Sequence, residues 1–200
     1  EHLPQRLSNL ANFFNLNVKT SDKYDFKTDI KDDKRFKNFY KKKIRGSYVL
    51  IHLDEKWNDI QSIKKDLYFN LINLQSKIKK KIVITSYNNN FQYFINLKRD
   101  ILKSRKNKNI LLINNSNLFF FERLINYSFC SISCHSGFLV QIAGSSSTKI
   151  IDIINKSDFN WYSSWKPKNT VHEIVFKSNK QNHLSINKIF VDLKTKIQSF

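Results

Sequence analysis

The residues best suited to do chemistry lie together in the segment Ser133-Cys134-His135-Ser136-Gly137. A short apolar run precedes this segment and apolar residues at helical spacing follow it, so it is predicted to be the turn between a buried strand and a helix. Glycine at such a turn lets the backbone bend tightly and approach a ligand. Free amides at the start of the helix would favour a phosphate, helped by the helix dipole. We predict a phosphate-binding loop in which Ser136 caps the helix and donates to a ligand oxygen, with an empty strand-to-helix turn as the alternative.

Other chemistries fit this segment less well. Adjacent side chains usually point apart, so Cys134 and His135 are not expected to form a nucleophilic pair, and no third orienting group is evident. Two cysteines and one histidine without a supporting pattern elsewhere do not predict a metal site. The string also lacks the first glycine of the Gly-x-Ser-x-Gly hydrolase turn. We therefore expect neither a metal nor a cofactor.

Two further loops contain polar residues directly after predicted strands. Lys56 follows the strand that ends near His52, and its ammonium is suited to neutralise a diphosphate as a point charge. The alternative is structural, because Asp54 or Glu55 would favour a helix N-terminus that Trp57 anchors. The third loop contains Asn88, whose amide is expected to contact a base or ribose, with an ordinary Asn-rich turn as the alternative.

Apolar runs alternate with amphipathic segments from Ser47 to the end of the chain. This alternation predicts a Rossmann-like α/β domain, in which a parallel sheet carries helices on both faces. The predicted strands are 47–53, 81–86, 109–113, 129–133, 149–154 and 171–176. The predicted helices are 57–78, 91–102, 117–127, 136–143 and 185–197. An aromatic loop with Trp161, Trp165 and Pro167 follows the fifth strand. Ligands of such sheets bind beyond the carboxyl ends of the strands, where the three loops lie.

Residues 1–46 are predicted to be a helix and a connector that join a lost upstream part to the main domain, which residues 47–200 form. Leu3 to Leu16 carries apolar residues at helical spacing. Asn17 to Arg45 is charged and poor in aliphatic residues, and we expect it to be irregular. The chain begins at Glu1 and contains no methionine, so we expect a fragment of a longer protein.

The formal charge of +19 raises the question of a polyanionic partner. The lysines are scattered, with short runs at 41–43 and 79–81, and neither run belongs to a nucleic-acid-binding motif. We therefore expect no nucleic acid, but general basicity and a possible peripheral contact with an acidic membrane surface. Cys130 and Cys134 would lie about 13 Å apart along one strand, too far for a disulfide. This favours a cytoplasmic setting, and no apolar run approaches the roughly 20 residues of a membrane span.

In their order along the chain, these segments resemble glycosyltransferase family 9, the ADP-heptose:lipopolysaccharide heptosyltransferases. The resemblance covers nearly the whole chain. It includes the first strand with the following Lys56-Trp57, the helix from Asn117 to Ser128, the signature region from Ser131 to Gly144, and the strand and loop from Lys149 to Pro167. The family usually has Asp at position 135 and His at position 140, where this chain has His135 and Val140. Ser136 and Gly137 match the family.

The resemblance implies the C-terminal, donor-binding half of a GT-B enzyme that transfers heptose or a similar sugar from a nucleotide-diphosphate donor to lipopolysaccharide or another surface glycan. The implied donor-binding residues are Lys56, Asn88, His135, Ser136 and Gly137. The catalytic base would lie in the other half, so this chain alone is expected to be inactive. The alternative is a degenerate, non-catalytic module that binds a nucleotide or glycan, which Val140 in place of His favours.

Overall fold

The computed structural model of the chain describes residues 30–87, 92–104, 108–114, 116–168, 170–178 and 182–200. The described residues form a six-stranded parallel sheet with helices on both faces, which confirms the predicted Rossmann-like α/β class. The predicted helix from Leu3 to Leu16 and the loop that contains Asn88 lie outside these ranges.

Strands and helices alternate along the chain as the sequence pattern predicts. The strands are β1 (Tyr48–His52), β2 (Lys81–Ser86), β3 (Ile110–Asn114), β4 (Cys130–Ser133), β5 (Lys149–Asn155) and β6 (His172–Ser178). The helices are α1 (Ile30–Phe39), α2 (Ile63–Ile78), α3 (Gln92–Lys103), α4 (Leu118–Asn126), α5 (Gly137–Ser145), α6 (Phe159–Ser163) and α7 (Ile186–Gln198). A π-helical turn, Tyr40–Ile44, continues α1, and 3-10 turns occupy Glu55–Asp59 and Lys156–Asp158.

The central strands are apolar on both faces because both faces are covered. All of β1 is buried, from Tyr48 to His52. Val49 and Ile51 belong to a core that α2, α3 and α7 cover, and Tyr48 and Leu50 belong to a second core under α1, α4 and α5. Strands buried on both faces need the continuous apolar runs that the sequence shows. Among the described helices, none is both long enough and apolar enough to cross a membrane.

The order of the strands places two loops side by side. Along the sheet the order is β3-β2-β1-β4-β5-β6. The chain moves outward from β1 to β3, then returns to start β4 on the other side of β1. In an open α/β sheet, the helices after such a pair of strands lie on opposite faces, and a crevice opens between their loops. His52 and Ser133 are paired at this edge, so the loops after β1 and β4 begin next to each other.

The prediction of irregular structure for Asn17 to Arg45 is wrong for residues 30–44. These residues are helical and pack on α4. Aromatic side chains supply the apolar surface that aliphatic residues do not. Phe36 is fully buried, with its ring centroid 5.3 Å from that of Phe120 and 5.2 Å from that of Tyr127.

Two smaller predictions also need correction. The helix predicted from Trp57 to Ile78 is split, because Ile60 has an extended backbone (φ −82°, ψ 125°) and Ser62 lies in the left-handed region (φ 65°). Trp57 instead sits in a 3-10 turn, and its indole N–H donates to the His52 carbonyl at 2.9 Å. The aromatic segment after β5, predicted to be a loop, begins with a 3-10 turn and the short helix α6.

We expect Gly144→Ala to lower the melting temperature by a few degrees. A Cβ at Gly144 would lie 2.5 Å from the Cβ and Cγ atoms of Pro167, whose ring cannot rotate away. Overpacking of this kind costs about 1–3 kcal/mol, more than the roughly 1 kcal/mol that alanine gains over glycine inside a helix. Thermal unfolding followed by circular dichroism measures the difference.

Gly137→Ala is the matched control, because no atom lies within 4 Å of a Cβ placed there, at the start of the same helix. Its melting temperature should equal or slightly exceed that of the wild type. A Gly144→Ala protein as stable as the wild type would show that α5 does not press against Pro167 as described.

Candidate functional site

Lys56 spans the crevice between the loops after β1 and β4. Its ammonium Nζ donates to the carbonyl oxygen of His135 at 2.6 Å. The 3-10 turn that carries Lys56 is capped by Asp54, whose Oδ1 accepts the Lys56 backbone N–H at 3.2 Å. Burial raises the pKa of the Asp54 carboxyl to about 6, although the nearby Lys56 ammonium acts in the opposite direction. The lysine predicted to contact a diphosphate is therefore held at the mouth of the site by its own short turn.

Lys177, in β6, fixes the same turn from beneath. Its side chain is only 5% exposed, and its Nζ donates to Asp59 Oδ2 at 2.7 Å and to the Lys56 carbonyl at 3.0 Å. An ammonium so enclosed must have polar partners, because a buried unpaired charge is strongly destabilising. Lys177 thus positions the backbone of Lys56.

Asp152, in the centre of β5, organises the loop after β4. Its carboxylate is fully buried, and Oδ1 accepts the His135 backbone N–H at 2.7 Å and the Ser133 hydroxyl at 3.1 Å. Its Oδ2 lies 3.0 Å from Nδ1 of the His135 imidazole. A buried carboxylate needs such donors, and here they come from the loop that the strand must hold.

The loop adopts a backbone conformation that is costly without this support. His135 has φ 57°, in the left-handed region that residues with a side chain rarely occupy. Its two contacts with Asp152 offset that strain. The next amide, that of Ser136, donates to Ser133 Oγ at 3.2 Å.

The prediction that Ser136 caps α5 through its side chain is wrong. Ser136 occupies the N-cap position, but its hydroxyl makes no capping hydrogen bond in the described structure. A capping oxygen must accept an amide of the second or third residue of the helix, and the Ser136 hydroxyl does not do so. The amides of Gly137 and the two residues after it have no carbonyl ahead of them within the helix.

A cleft of ≈ 270 Å³ lies beyond the carboxyl ends of β4, β5 and β6. Its polar lining includes three groups from the β1 turn and β6, Lys56, Asp59 and Lys177, and three from the end of β5 and the segment after it, Asn155, Asp158 and Tyr162. Trp161, 56% exposed, forms part of the rim, with its ring centroid 5.3 Å from that of His135. The cleft thus combines basic groups with aromatic walls.

The predicted site residues are only partly brought together. Lys56 and His135 line the cleft and contact each other. Ser136 and Gly137 begin α5 immediately beside it, outside the residues that line it. No atom lies within 4 Å of the position that a Cβ of Gly137 would take, so the space in front of this turn is open. Asn88 lies outside the described residues.

Neither cysteine is placed for nucleophilic chemistry. Burial raises the pKa of Cys130 to about 12 and raises that of Cys134 well above its usual range, so both thiols stay protonated. Both are free in the structure, and Cys134 is 1% exposed. The structure thus agrees with the rejection of a Cys134–His135 pair.

His52 is buried at the end of β1, where the first of the two loops begins. It is 1% exposed, and its Nδ1 lies 3.0 Å from the Thr85 hydroxyl. The rings of Tyr87 and Phe121 are 4.7 and 5.2 Å from it. Burial lowers the pKa of His52 to about 4, so the imidazole is neutral near neutral pH.

The sequence-based prediction overlooked Asp152, Lys177 and Tyr162. Two of them carry a signal that could have found them. Asp152 is a carboxylate in the middle of the apolar run Ile-Ile-Asp-Ile-Ile, where an unpaired charge would be too costly to keep. Lys177 stands two residues after the buried Val175, on the same face of its strand. For Tyr162, at the end of an aromatic segment, we find no such signal.

Solved structures with a similar fold include a UDP-GlcNAc 2-epimerase and a heptosyltransferase. The chain aligns with the Methanocaldococcus jannaschii UDP-GlcNAc 2-epimerase in complex with UDP-GlcNAc and UDP, at 13% identity over 84% of this chain and 42% of that one, with a TM-score of 0.56. It aligns with S. aureus MnaA bound to UDP at 12% identity, over 87% of this chain and 40% of that one, with a TM-score of 0.53. It aligns with E. coli ADP-heptose LPS heptosyltransferase II at 7% identity, over 92% of this chain and 56% of that one, with a TM-score of 0.56. The likeness is one of fold.

These comparisons confirm the GT-B-like fold that the resemblance implied. The chain spans 40–56% of the length of these three structures. No family model and no curated protein matches the sequence.

We expect the stability of the protein to fall as the pH drops from about 6.5 towards 4. The folded state excludes a proton that the unfolded chain binds at His52, so the contribution of this residue is complete above pH 6.5 and is lost towards pH 4. For a shift of this size the loss is at most about 3 kcal/mol. Burial also lowers the pKa of His172 to about 4, which adds in the same direction, whereas the raised pKa of Asp54 opposes both.

His52→Gln should flatten the dependence of melting temperature on pH between 7 and 4.5, because glutamine does not titrate. The exposed His183→Gln is the matched control and should leave the slope unchanged. Equal slopes for His52→Gln and the wild type would contradict the role given to the buried imidazole.

Proposed function

We propose that this chain is the donor-binding domain of a glycosyltransferase, which transfers heptose or a similar sugar from a nucleotide-diphosphate donor to lipopolysaccharide or another surface glycan. The observation that carries the proposal is the position of Lys56. Its ammonium stands at the reversal of strand order, at the edge of the cleft and next to the start of α5. Open α/β sheets bind their ligands at this point.

The diphosphate is assigned to the group formed by Lys56, Ser136 and Gly137. Lys56 supplies a cation, and the first turn of α5 supplies backbone amides aligned with the positive end of the helix dipole. The open space in front of Gly137 lets a phosphate come within hydrogen-bond distance of those amides. The Ser136 hydroxyl, which does not cap the helix, can donate to the same anion.

The nucleoside or sugar is assigned to the aromatic part of the cleft. Trp161 and Tyr162 border the cavity, and Trp161 also packs near Trp165 with ring centroids 5.9 Å apart. Exposed aromatic rings present flat apolar faces on which a base or sugar ring can stack. The volume of ≈ 270 Å³ suits part of a nucleotide sugar, since whole ligand pockets measure about 300–1,000 Å³.

Catalysis is proposed to need groups outside this chain. The chain spans 56% of the heptosyltransferase and 42% of the epimerase, and we propose that a second domain supplies the catalytic base. In such an enzyme, cations and helix dipoles offset the charge that develops on the leaving diphosphate, and no metal is required. The chain alone would then bind the donor without turnover.

Contact with an acidic membrane surface is a further part of the proposal. The lysine run 41–43 directly precedes β1 and the run 79–81 opens β2. Both therefore lie at the amino edge of the sheet, opposite the cleft. A basic edge is attracted to anionic lipid by about 1 kcal/mol for each cation near the surface. This orientation would turn the cleft away from the bilayer.

A degenerate binding module is the alternative function. Val140, at the position where the family has His, is 3% exposed and packs in the core under α5. It contributes no polar group to the site. Transfer or donor hydrolysis by the full-length protein distinguishes the two functions, because a binding module would show neither while still binding a nucleotide.

Lys56→Ala should weaken binding of UDP or ADP about tenfold or more, measured by isothermal titration calorimetry. A hydrogen bond to a charged group contributes about 1.5–3 kcal/mol, which corresponds to roughly 10- to 100-fold in affinity. Lys65→Ala, an exposed lysine on α2, is the control and should bind like the wild type. Unchanged affinity in Lys56→Ala would remove this lysine from the site.

Gly137→Val should weaken the same binding without lowering the melting temperature by more than about 1 °C. The Cβ of the added side chain has no atom within 4 Å apart from its own turn of the chain, so we expect valine to fit and to hinder a ligand at this turn. Normal affinity in a stable Gly137→Val protein would contradict the assignment of the phosphate to this turn, and a large loss of stability would contradict the open space described beside Gly137.

A further inference from the structure

His135 is held in a defined orientation by a buried carboxylate. Asp152 is fully buried, and its Oδ2 lies 3.0 Å from Nδ1 of His135 while its Oδ1 accepts the His135 backbone N–H at 2.7 Å. In the described part of the chain, its ion-pair partner is this imidazole rather than a lysine or arginine. The carboxylate therefore fixes both the backbone and the ring of one residue.

This contact determines which nitrogen of the ring is available to a ligand in the cleft. Asp152 cannot donate when ionised, so the proton of the neutral imidazole resides on Nδ1. Nε2 is then left for other partners. The His135 side chain is 25% exposed and lines the cleft. Its ring lies edge-on to Trp161 and Tyr162, at centroid distances of 5.3 and 4.9 Å.

The groups around the imidazole allow it to gain a charge when an anion arrives. Lys56, from the β1 loop, binds the His135 carbonyl, and Lys177 on β6 is paired with Asp59. Asp158, after β5, also lines the cleft. Asp152 supplies the negative charge that would balance an imidazolium.

Two further titratable neighbours remain neutral near neutral pH. Burial, and then Asp152, raise the pKa of the Tyr162 phenol far above its usual range. The Tyr162 hydroxyl contacts Nε2 of His172, and burial lowers the pKa of His172 to about 4. Histidine is the side chain that can change its charge between pH 5 and 8 without a special environment.

We propose that His135, oriented by Asp152, is a phosphate ligand that takes up a proton when a nucleoside diphosphate binds. The proton comes from solvent, Nε2–H donates to a phosphate oxygen, and no covalent bond forms or breaks. Asp152 is the positioning residue, and it balances the charge of the imidazolium. The inference rests on the proposed function, since it adds a second, pH-dependent cation to the diphosphate site of Lys56.

The test is calorimetric titration of the chain with UDP, ADP and inorganic pyrophosphate at pH 6, 7 and 8. Each titration is repeated in two buffers that differ in ionisation enthalpy, which gives the number of protons exchanged. We expect the wild type to take up a fraction of one proton, and its affinity to fall by up to about tenfold for each pH unit in the range where the uptake occurs.

His135→Gln should bind more weakly at pH 6 and take up fewer protons. The terminal phosphate of the probe itself titrates near pH 6 and can also exchange a proton on binding, so the two proteins are compared with the same probe at each pH. Asp152→Asn should reduce the uptake as well, provided that circular dichroism shows it to be folded. If it is not folded, His135→Gln carries the test.

Two controls separate His135 from its neighbours. Lys56→Gln should lower the affinity and keep the proton uptake. Asp54→Asn should also keep the uptake, which matters because burial raises the pKa of Asp54 to about 6 and this carboxyl could also bind a proton beside an anion. Uptake that persists in His135→Gln and disappears in Asp54→Asn would overturn the inference.

The failure of the inference and that of the proposed function are distinguishable. If the wild type binds a probe but the protons exchanged are the same in His135→Gln, the inference is wrong and the donor site stands. If none of the three probes binds to the wild type at any pH, both the inference and the proposed function are wrong.

Discussion

The reversal of strand order between β1 and β4 is the constraint on which the site depends. Because β4 starts beside β1 instead of extending the sheet beyond β3, the loops after these two strands begin next to each other and then diverge. The polar groups of the site lie in or beside the crevice that opens between these two loops. Lys56 comes from one loop and His135 from the other, and the hydrogen bond between them joins the two edges.

Two buried charged side chains hold the loops of the site in place. Asp152 holds the β4 loop and Lys177 holds the β1 turn, each from a strand on the same side of the crevice. Both are nearly or fully buried, so each is confined to one set of partners. The backbone positions of His135 and Lys56 therefore follow from β5 and β6, although neither residue belongs to these strands.

The strands could be predicted from the sequence because they are buried on both faces, and the site could not be predicted to the same extent. The apolar run of β1 leaves few alternatives to a central strand, and the position of Lys56 just beyond it follows from the parallel sheet. The contact of Lys56 with the His135 carbonyl joins residues 79 positions apart, so nothing in the local sequence indicates it.

The helix at 30–44 was not predicted because Phe36 and its aromatic neighbours do the packing that the sequence pattern assigns to aliphatic residues. Asp152 was treated as part of a strand pattern, and its partners become visible only when β4 and β5 are placed side by side.

The contact between Gly144 and Pro167 links two parts of the molecule that border the cleft from different directions. Gly144 lies near the end of α5, and Pro167 follows the turn in which the Lys166 amide donates to the Tyr162 carbonyl at 3.1 Å. This contact therefore joins α5, at whose start we propose that a phosphate binds, to the aromatic segment after β5. If a donor binds as proposed, a bulkier one would have to be accommodated on the opposite side of the cleft, where Lys56 is exposed and lies in a short 3-10 turn. In the proposed complex, the aromatic side would then discriminate among the rings that stack on it, and the side of Lys56 would tolerate differences in ligand size.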